Sequence, residues 1–330
     1  LWGLPTVASP GLGDQPQLGP FERVQPRQLD DPRGDQPFDA EAVLHGTFVA
    51  AGDCTLSGNR LWVEVDAKGD CIRYYASGLF PSDNPRALVY LGGDVMQRTS
   101  KGVRFIAASY TSRSPATIEK EMAEWSEAAR IPAIFLARPG LYGSSGDHNR
   151  RRHLREILLM DSALDGLKEK YGISSFILTG HSAGGQIVAA LLNRRRDIEA
   201  AVMTSPLASV KQVSAFWEDR RAIPGRLLYD AKKFHDPVED VERISTDPKP
   251  RIYVVSDPED RSVPFFSQLY YVRRLRLAGL EPQHVYAHAS GPSRHVLAEH
   301  GKRTAALIAR GRSDAEIRRA LLELDLQNLP

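Results

Sequence analysis

Two cysteines, Cys54 and Cys71, are all that 330 residues contain. Two thiolates cannot build a four-cysteine zinc site, and their spacing is not that of a CxxC motif. Also missing is any apolar run near the ~18 residues that a bilayer-spanning helix needs, so no membrane span is expected. Charge is nearly balanced, with 43 basic and 41 acidic residues and a net of +2. That balance argues against a chain built to hold nucleic acid, which needs a strongly basic face. Arg150, Arg151, Arg152, His153 and Arg155 do form a local basic run, and at the start of a predicted helix they read as a solvated face. The chain opens on Leu1 without the charged-then-apolar order of a signal peptide. A mature exported chain and a trimmed one both fit that start.

What is present divides into two materials. Residues 1–38 form a Pro/Gly-rich arm, with Pro5, Pro10, Pro16, Pro20, Pro26, Pro32 and Pro37 among Gly3, Gly11, Gly13, Gly19 and Gly34. Such a stretch sustains neither a helix nor a central strand. It is expected to be disordered, or to wrap over the domain or over a second subunit, which is a route to a homo-oligomer. Residues 39–330 read as one domain. Short strands are expected first, at Thr47–Ala51, Leu61–Val65 and Ile72–Ala76. If these form a simple meander, Cys54 and Cys71 fall at opposite ends of the middle strand, which speaks against a disulfide. The bond therefore stays open at this point. If formed, it fits a periplasmic or secreted protein, the location expected here, with the cytoplasm as the alternative.

Beyond Ser77 the rhythm changes. Apolar runs at Ala87–Leu91, Ala133–Ala137, Phe176–Thr179, Ala200–Thr204, Ile252–Val255 and His284–Ala287 suit buried parallel strands. Helices are expected between and after them: Pro115–Ala129, opened by Ser114 and Pro115, then Leu154–Tyr171, Gly184–Arg195, Pro264–Leu277, His295–Arg310 and Ser313–Leu324. The alternation implies an α/β fold, a mostly parallel sheet with helices on both faces. Residues 207–250 interrupt it and are too long for an ordinary connection. A small helical lid and a structural excursion suit them equally.

Gly180-His181-Ser182-Ala183-Gly184 matches G-x-S-x-G. Roughly one chain in ten of this length carries that pattern by chance, so placement decides. The motif follows a predicted strand and opens a predicted helix, as a nucleophile elbow requires. A serine hydroxyl needs a base to take its proton, and the chain order serine, acid, histidine is available. Asp260, a few residues past the strand Ile252–Val255, is the preferred acid over Asp257 and Glu259. His295, after the last strand, is the preferred base over His284, His288 and His300. The oxyanion hole needs two N–H donors. Ala183 is one, and the loop Gly92-Gly93-Asp94 supplies the other, from Asp94 or, one step earlier, Gly93. The Asp94 side chain either turns away to cap its loop or discriminates against anionic substrates.

Gly92-Gly93-Asp94, the run Arg138-Pro139-Gly140-Leu141-Tyr142-Gly143-Ser144-Ser145-Gly146, Gly180–Gly184, Asp260 and His295 together resemble the α/β-hydrolase superfamily. The resemblance covers about Leu88 to Arg310 and implies that fold, with a small helical insertion, and acyl transfer through Ser182, His295 and Asp260. It also implies that the Arg138–Gly146 loop shapes the pocket. The expected substrate is a small carboxylic ester, with a peptide or amide second and a non-catalytic binding protein of the same fold third. No cofactor and no metal are implied.

Overall fold

The computed structural model describes residues 13–54 and 58–328. At its centre lies an eight-stranded sheet. Its strands are β1 (Arg60–Val65), β2 (Lys68–Ser77), β3 (Asn84–Leu91), β4 (Ala133–Leu136), β5 (Ile173–His181), β6 (Ile198–Thr204), β7 (Arg251–Ser256) and β8 (Gln283–Tyr286). Their order in space is β1-β2-β4-β3-β5-β6-β7-β8. β2 is antiparallel to both neighbours, and every pairing from β4 to β8 is parallel. The chain leaves β3 toward one edge to make β4, then returns to place β5 on its other side. Such a switch point opens a crevice at the carboxyl ends of the strands, where ligands of open α/β sheets bind.

Among the described residues seven longer helices accompany the sheet: α1 (Pro115–Ala129), α2 (Leu154–Tyr171), α3 (Ala183–Leu192), α4 (Val210–Glu218), α5 (Phe265–Leu277), α6 (Ala298–Ala309) and α7 (Asp314–Asn328). α1 starts where its sequence says it should. The Ser114 hydroxyl accepts from Thr117 N, the Thr117 hydroxyl accepts from Ser114 N, and Pro115 sits at the first helical position. Side chains alternate across each strand, so one strand serves two cores. Ala87, Val89 and Leu91 of β3 join the core containing Ile157 of α2, Ile187 of α3 and Val272 of α5. Leu88 and Tyr90 join the opposite core, with Ile118 of α1, Ala305 of α6 and Ile317 of α7. Burial on both faces explains why these strands read as continuous apolar runs.

Three expectations need correction. Thr47–Ala51 is not a strand of the main sheet. Only Thr47–Phe48 is extended, paired in parallel with Arg27–Gln28, and Ala51–Cys54 is a helical turn. The cause is non-local: Thr47 exchanges two backbone hydrogen bonds with Gly146, of 2.9 and 2.8 Å, which draws it to the loop after β4. Without a meander the objection to a cross-link disappears, and Cys54 forms a disulfide with Cys71 of β2, Cα to Cα 5.6 Å. The basic run is not a solvated face either. Arg151 and Arg152 fold inward onto Asp94, and Arg155 pairs with Asp70.

Residues 1–12 of the arm lie outside the described residues. From Gly13 onward the arm lies along its own domain. Gln17–Leu18 pairs with Arg104–Ile106, which forms a hairpin with Met96–Arg98, and Leu18 and Phe38 are buried. Residues 207–250 fold as α4 and short turns at Gly225–Leu228, Ala231–Lys233 and Pro237–Arg243. Leu207, Val210, Val213 and Phe234 from this segment pack with Ala183 and Val263 in a separate apolar cluster.

The disulfide closes 17 residues of chain, a loop for which cross-linking contributes about 3 kcal/mol through the unfolded state. The Cys54→Ala/Cys71→Ala protein should lose about that much stability in denaturant unfolding. Identical midpoints for wild type with and without reductant would contradict it.

Candidate active site

β5 ends at His181 and α3 begins at Ala183, so Ser182 alone makes the turn between them. Its backbone sits at φ +55° and ψ −118°, a conformation that costs a residue with a Cβ of order 1–3 kcal/mol. Neighbouring backbone holds it there. Ser182 N donates to Thr204 O at 2.9 Å, and Ser182 O accepts from Gly185 N and Leu207 N at 2.9 and 3.0 Å. The turn also brings backbones into contact. A Cβ on Gly180 would overlap Gly184 O, and one on Gly184 would overlap Leu91 O at the end of β3. Glycine at both positions is therefore a packing requirement.

The loops after β7 and β8 meet beside this turn. The Asp260 carboxylate is fully buried and accepts from Ser262 N at 2.8 Å, Val263 N at 3.0 Å and Gln268 Nε2 at 3.1 Å. His295 Nδ1 donates to its two oxygens at 2.8 and 3.0 Å. That bond leaves Nε2 as the free ring nitrogen. The ring centroid of His295 lies 5.0 Å from that of His181, the neighbour of Ser182. Among the described residues neither Ser182 Oγ nor His295 Nε2 has a hydrogen-bond partner.

The competing residues are engaged elsewhere. Asp257, also buried, holds the Arg294 guanidinium and accepts from Glu259 N and Ala289 N. Glu259 reaches the same Arg294 from the surface. His300 lies within α6 and binds Asp325 at 2.7 Å, and His284 binds Ser256 Oγ at 3.0 Å. His288 contributes its backbone N–H to Asp325. Three supporting residues escaped the sequence reading. Ser205, just past β6, donates its hydroxyl to His295 O at 2.8 Å, Gln268 steadies Asp260, and Arg294 ties the histidine loop to Asp257. Ser205 had one usable signal, its place at the carboxyl end of a strand beside β5.

On the other side of Ser182 runs the loop after β3. A Cβ on Gly93 would stand 3.2 Å from Ser182 Cβ and 3.3 Å from His181 O, so Gly93 is the loop residue that abuts the turn. The amides of Gly93, Asp94 and Ala183 find no acceptor among the described residues. The Asp94 side chain turns away into an arginine cluster: Arg138 at 3.0 Å, Arg151 at 3.1 Å and Arg152 at 2.8 Å. Burial alone would raise its carboxyl, but Arg152, Arg151 and Arg138 together hold it well below the usual carboxylate range. Arg138 is buried and also pairs with Glu156 at 2.8 Å. The rest of the Arg138–Gly146 loop grips β2, where Ser144 and Ser145 hydroxyls accept from Arg73 N and Cys71 N.

No family model matches the chain, and no curated protein matches it by sequence. Solved structures do. The chain is similar to the Pyrococcus furiosus esterase Pf2001, with TM-score 0.53 and 12% identity over 92% of this chain and 98% of that one. Est1E from Butyrivibrio proteoclasticus, solved with ferulic acid bound, gives 0.50 and 13% over 81% and 100%. A putative dipeptidyl aminopeptidase IV from Bacteroides ovatus gives 0.51 and 13% over 76% and 34%. The chain spans about a third of the length of the peptidases it resembles, 36% in the case of the Pyrococcus horikoshii acylaminoacyl peptidase. With the strand order and the turn at Ser182, these likenesses define the α/β-hydrolase fold.

His181 supplies a test of the site's electrostatics. Its Nδ1 lies 2.9 Å from Thr204 Oγ1. Burial first, and then the neighbouring His295, push its pKa from 6.5 down to about 3. The unfolded chain takes a proton there below pH about 6.5, whereas the folded protein resists until about 3. Unfolding therefore takes up a proton in that window, and stability falls as pH drops through it. His181→Gln should flatten the decline of the denaturation midpoint between about pH 6.5 and 4. An unchanged slope would show that His181 does not carry it.

Proposed function

We propose that the protein is a serine hydrolase that cleaves a carboxylic ester through Ser182, His295 and Asp260. The observation that carries this reading is the union of a strained serine between strand and helix with a histidine bonded to a buried aspartate, each from another loop. In the reaction His295 Nε2 takes the Ser182 proton as Oγ attacks the substrate carbonyl. Asp260, bonded to Nδ1, fixes the tautomer and stabilises the imidazolium. Charge developing on the carbonyl oxygen is met by the Ala183 amide and by the Gly93–Asp94 loop, at the N-terminus of α3. The imidazolium returns its proton to the leaving group, and water, activated by the same histidine, releases the acid. A small peptide or amide is the second substrate class, since the same groups perform both acyl transfers. The disulfide supports placing the protein in an oxidising compartment, the periplasm or outside the cell.

A fluorophosphonate probe should label wild type and not Ser182→Ala. Ser182→Ala should also lower kcat on p-nitrophenyl esters by about 10⁴-fold or more. Folded wild type that resists the probe would reject the reading. Asp260→Asn should cost about 10⁴-fold in kcat by allowing the wrong tautomer, and Asp257→Asn far less. The reverse ranking would move the acid to Asp257.

A further inference from the structure

A cavity of about 520 Å³ lies between the Met96–Ile106 hairpin, the Asn149–His153 loop and the segment from Arg220 to Phe234. Five arginines line it: Arg98, Arg151, Arg152, Arg220 and Arg221. None of its lining residues is an aspartate or glutamate. Arg151 and Arg152 share a single carboxylate, Asp94, which Arg138 also claims. Among the described residues Arg98, Arg220 and Arg221 have no ion pair at all. Arg152 Nε is buried without a hydrogen-bond partner.

Crowding guanidinium groups in a half-enclosed space is unfavourable by itself, because each charge raises the cost of the next. Burial, then Arg151, Arg104 and Arg221, push even the Arg98 guanidinium down to about 10. An oxyanion reverses that cost, since each fork of N–H donors fits a carboxylate or phosphate edge. Two links run from the cavity wall to the candidate active site. Two of its arginines hold Asp94 of the loop beside Ser182, and Phe234 on its wall packs in the same apolar cluster as Ala183.

We propose that this cavity is the subsite for the anionic end of the substrate, a carboxylate or phosphate carried by the molecule whose carbonyl reaches Ser182. The substrate role rests on the hydrolase reading above; the anion site itself does not.

The test has two parts. Calorimetric titration of Ser182→Ala with inorganic pyrophosphate, and separately with citrate, at constant ionic strength should give saturable binding of at least one. The tighter of the two distinguishes phosphate from carboxylate as the group recognised. Arg98→Gln/Arg221→Gln should weaken it at least about tenfold, while Arg310→Gln at the end of α6 leaves it unchanged. Heats no greater than those of sodium chloride overturn the site, as does undiminished binding by the double variant with an intact circular-dichroism spectrum. In the second part, wild type should prefer mono-p-nitrophenyl esters of dicarboxylic acids, scanned from succinate to sebacate, over uncharged esters of the same length. The double variant should lose about tenfold in kcat/KM on the charged series and nothing on the neutral one. Equal rates on both series at every length overturn the substrate role. Failure of wild type on every ester strikes the hydrolase reading, and the titration still decides the anion site.

Discussion

Ser182 occupies a backbone conformation that a residue with a Cβ adopts only under compulsion, and the compulsion comes from α3 pressing on the ends of β3 and β5. Gly180 and Gly184 permit that approach because their missing side chains leave room for Gly184 O and Leu91 O. The approach in turn brings Gly93 against Ser182 and aims the first turn of α3 at the same point. The strand order contributes equally. β5 lies between β3 and β6, so one neighbour supplies the Gly93 loop and the other supplies Thr204 O and Ser205. A strained turn in the middle of a sheet can be held only by the elements on both sides.

Charge is organised around the same place in two layers. Asp260 is buried with four donors and is therefore fixed in position. Asp94 sits at the other side of the turn and gathers Arg138, Arg151 and Arg152 from the segment after β4. Buried ion pairs of this sort are weak evidence for stability, because desolvation offsets most of the attraction. Their consequence here is geometric. Arg138 ties the Gly93–Asp94 loop to Glu156 of α2, while Arg151 and Arg152 are drawn to the rim of the arginine-lined cavity.

Elements whose signals are local were legible. The bounds of α1 and α2 follow from residues adjacent to their ends, Ser114 and Pro115 in one case and the left-handed Gly172 in the other. The strands β3 to β7 announced themselves because both faces are covered, whereas β8 is an edge strand with Tyr286 exposed. Asp260, which meets His295 in the structure, stands a few residues past β7 and just before α5, a placement readable from local order. Thr47–Ala51 misled because its apolar pattern fits a strand while Gly146, remote along the chain, decides where Thr47 lies.

Sequence alone determined the α/β alternation, the serine at a strand-to-helix turn and the order of Asp260 and His295 behind it. Each depends on residues within a turn or two of one another. Tertiary structure decided the rest: the Cys54–Cys71 bond, the Gly93 contact with Ser182, and the inward turn of Arg151 and Arg152. These depend on distances between segments far apart in the chain, and residue order does not encode such distances until the sheet sets them.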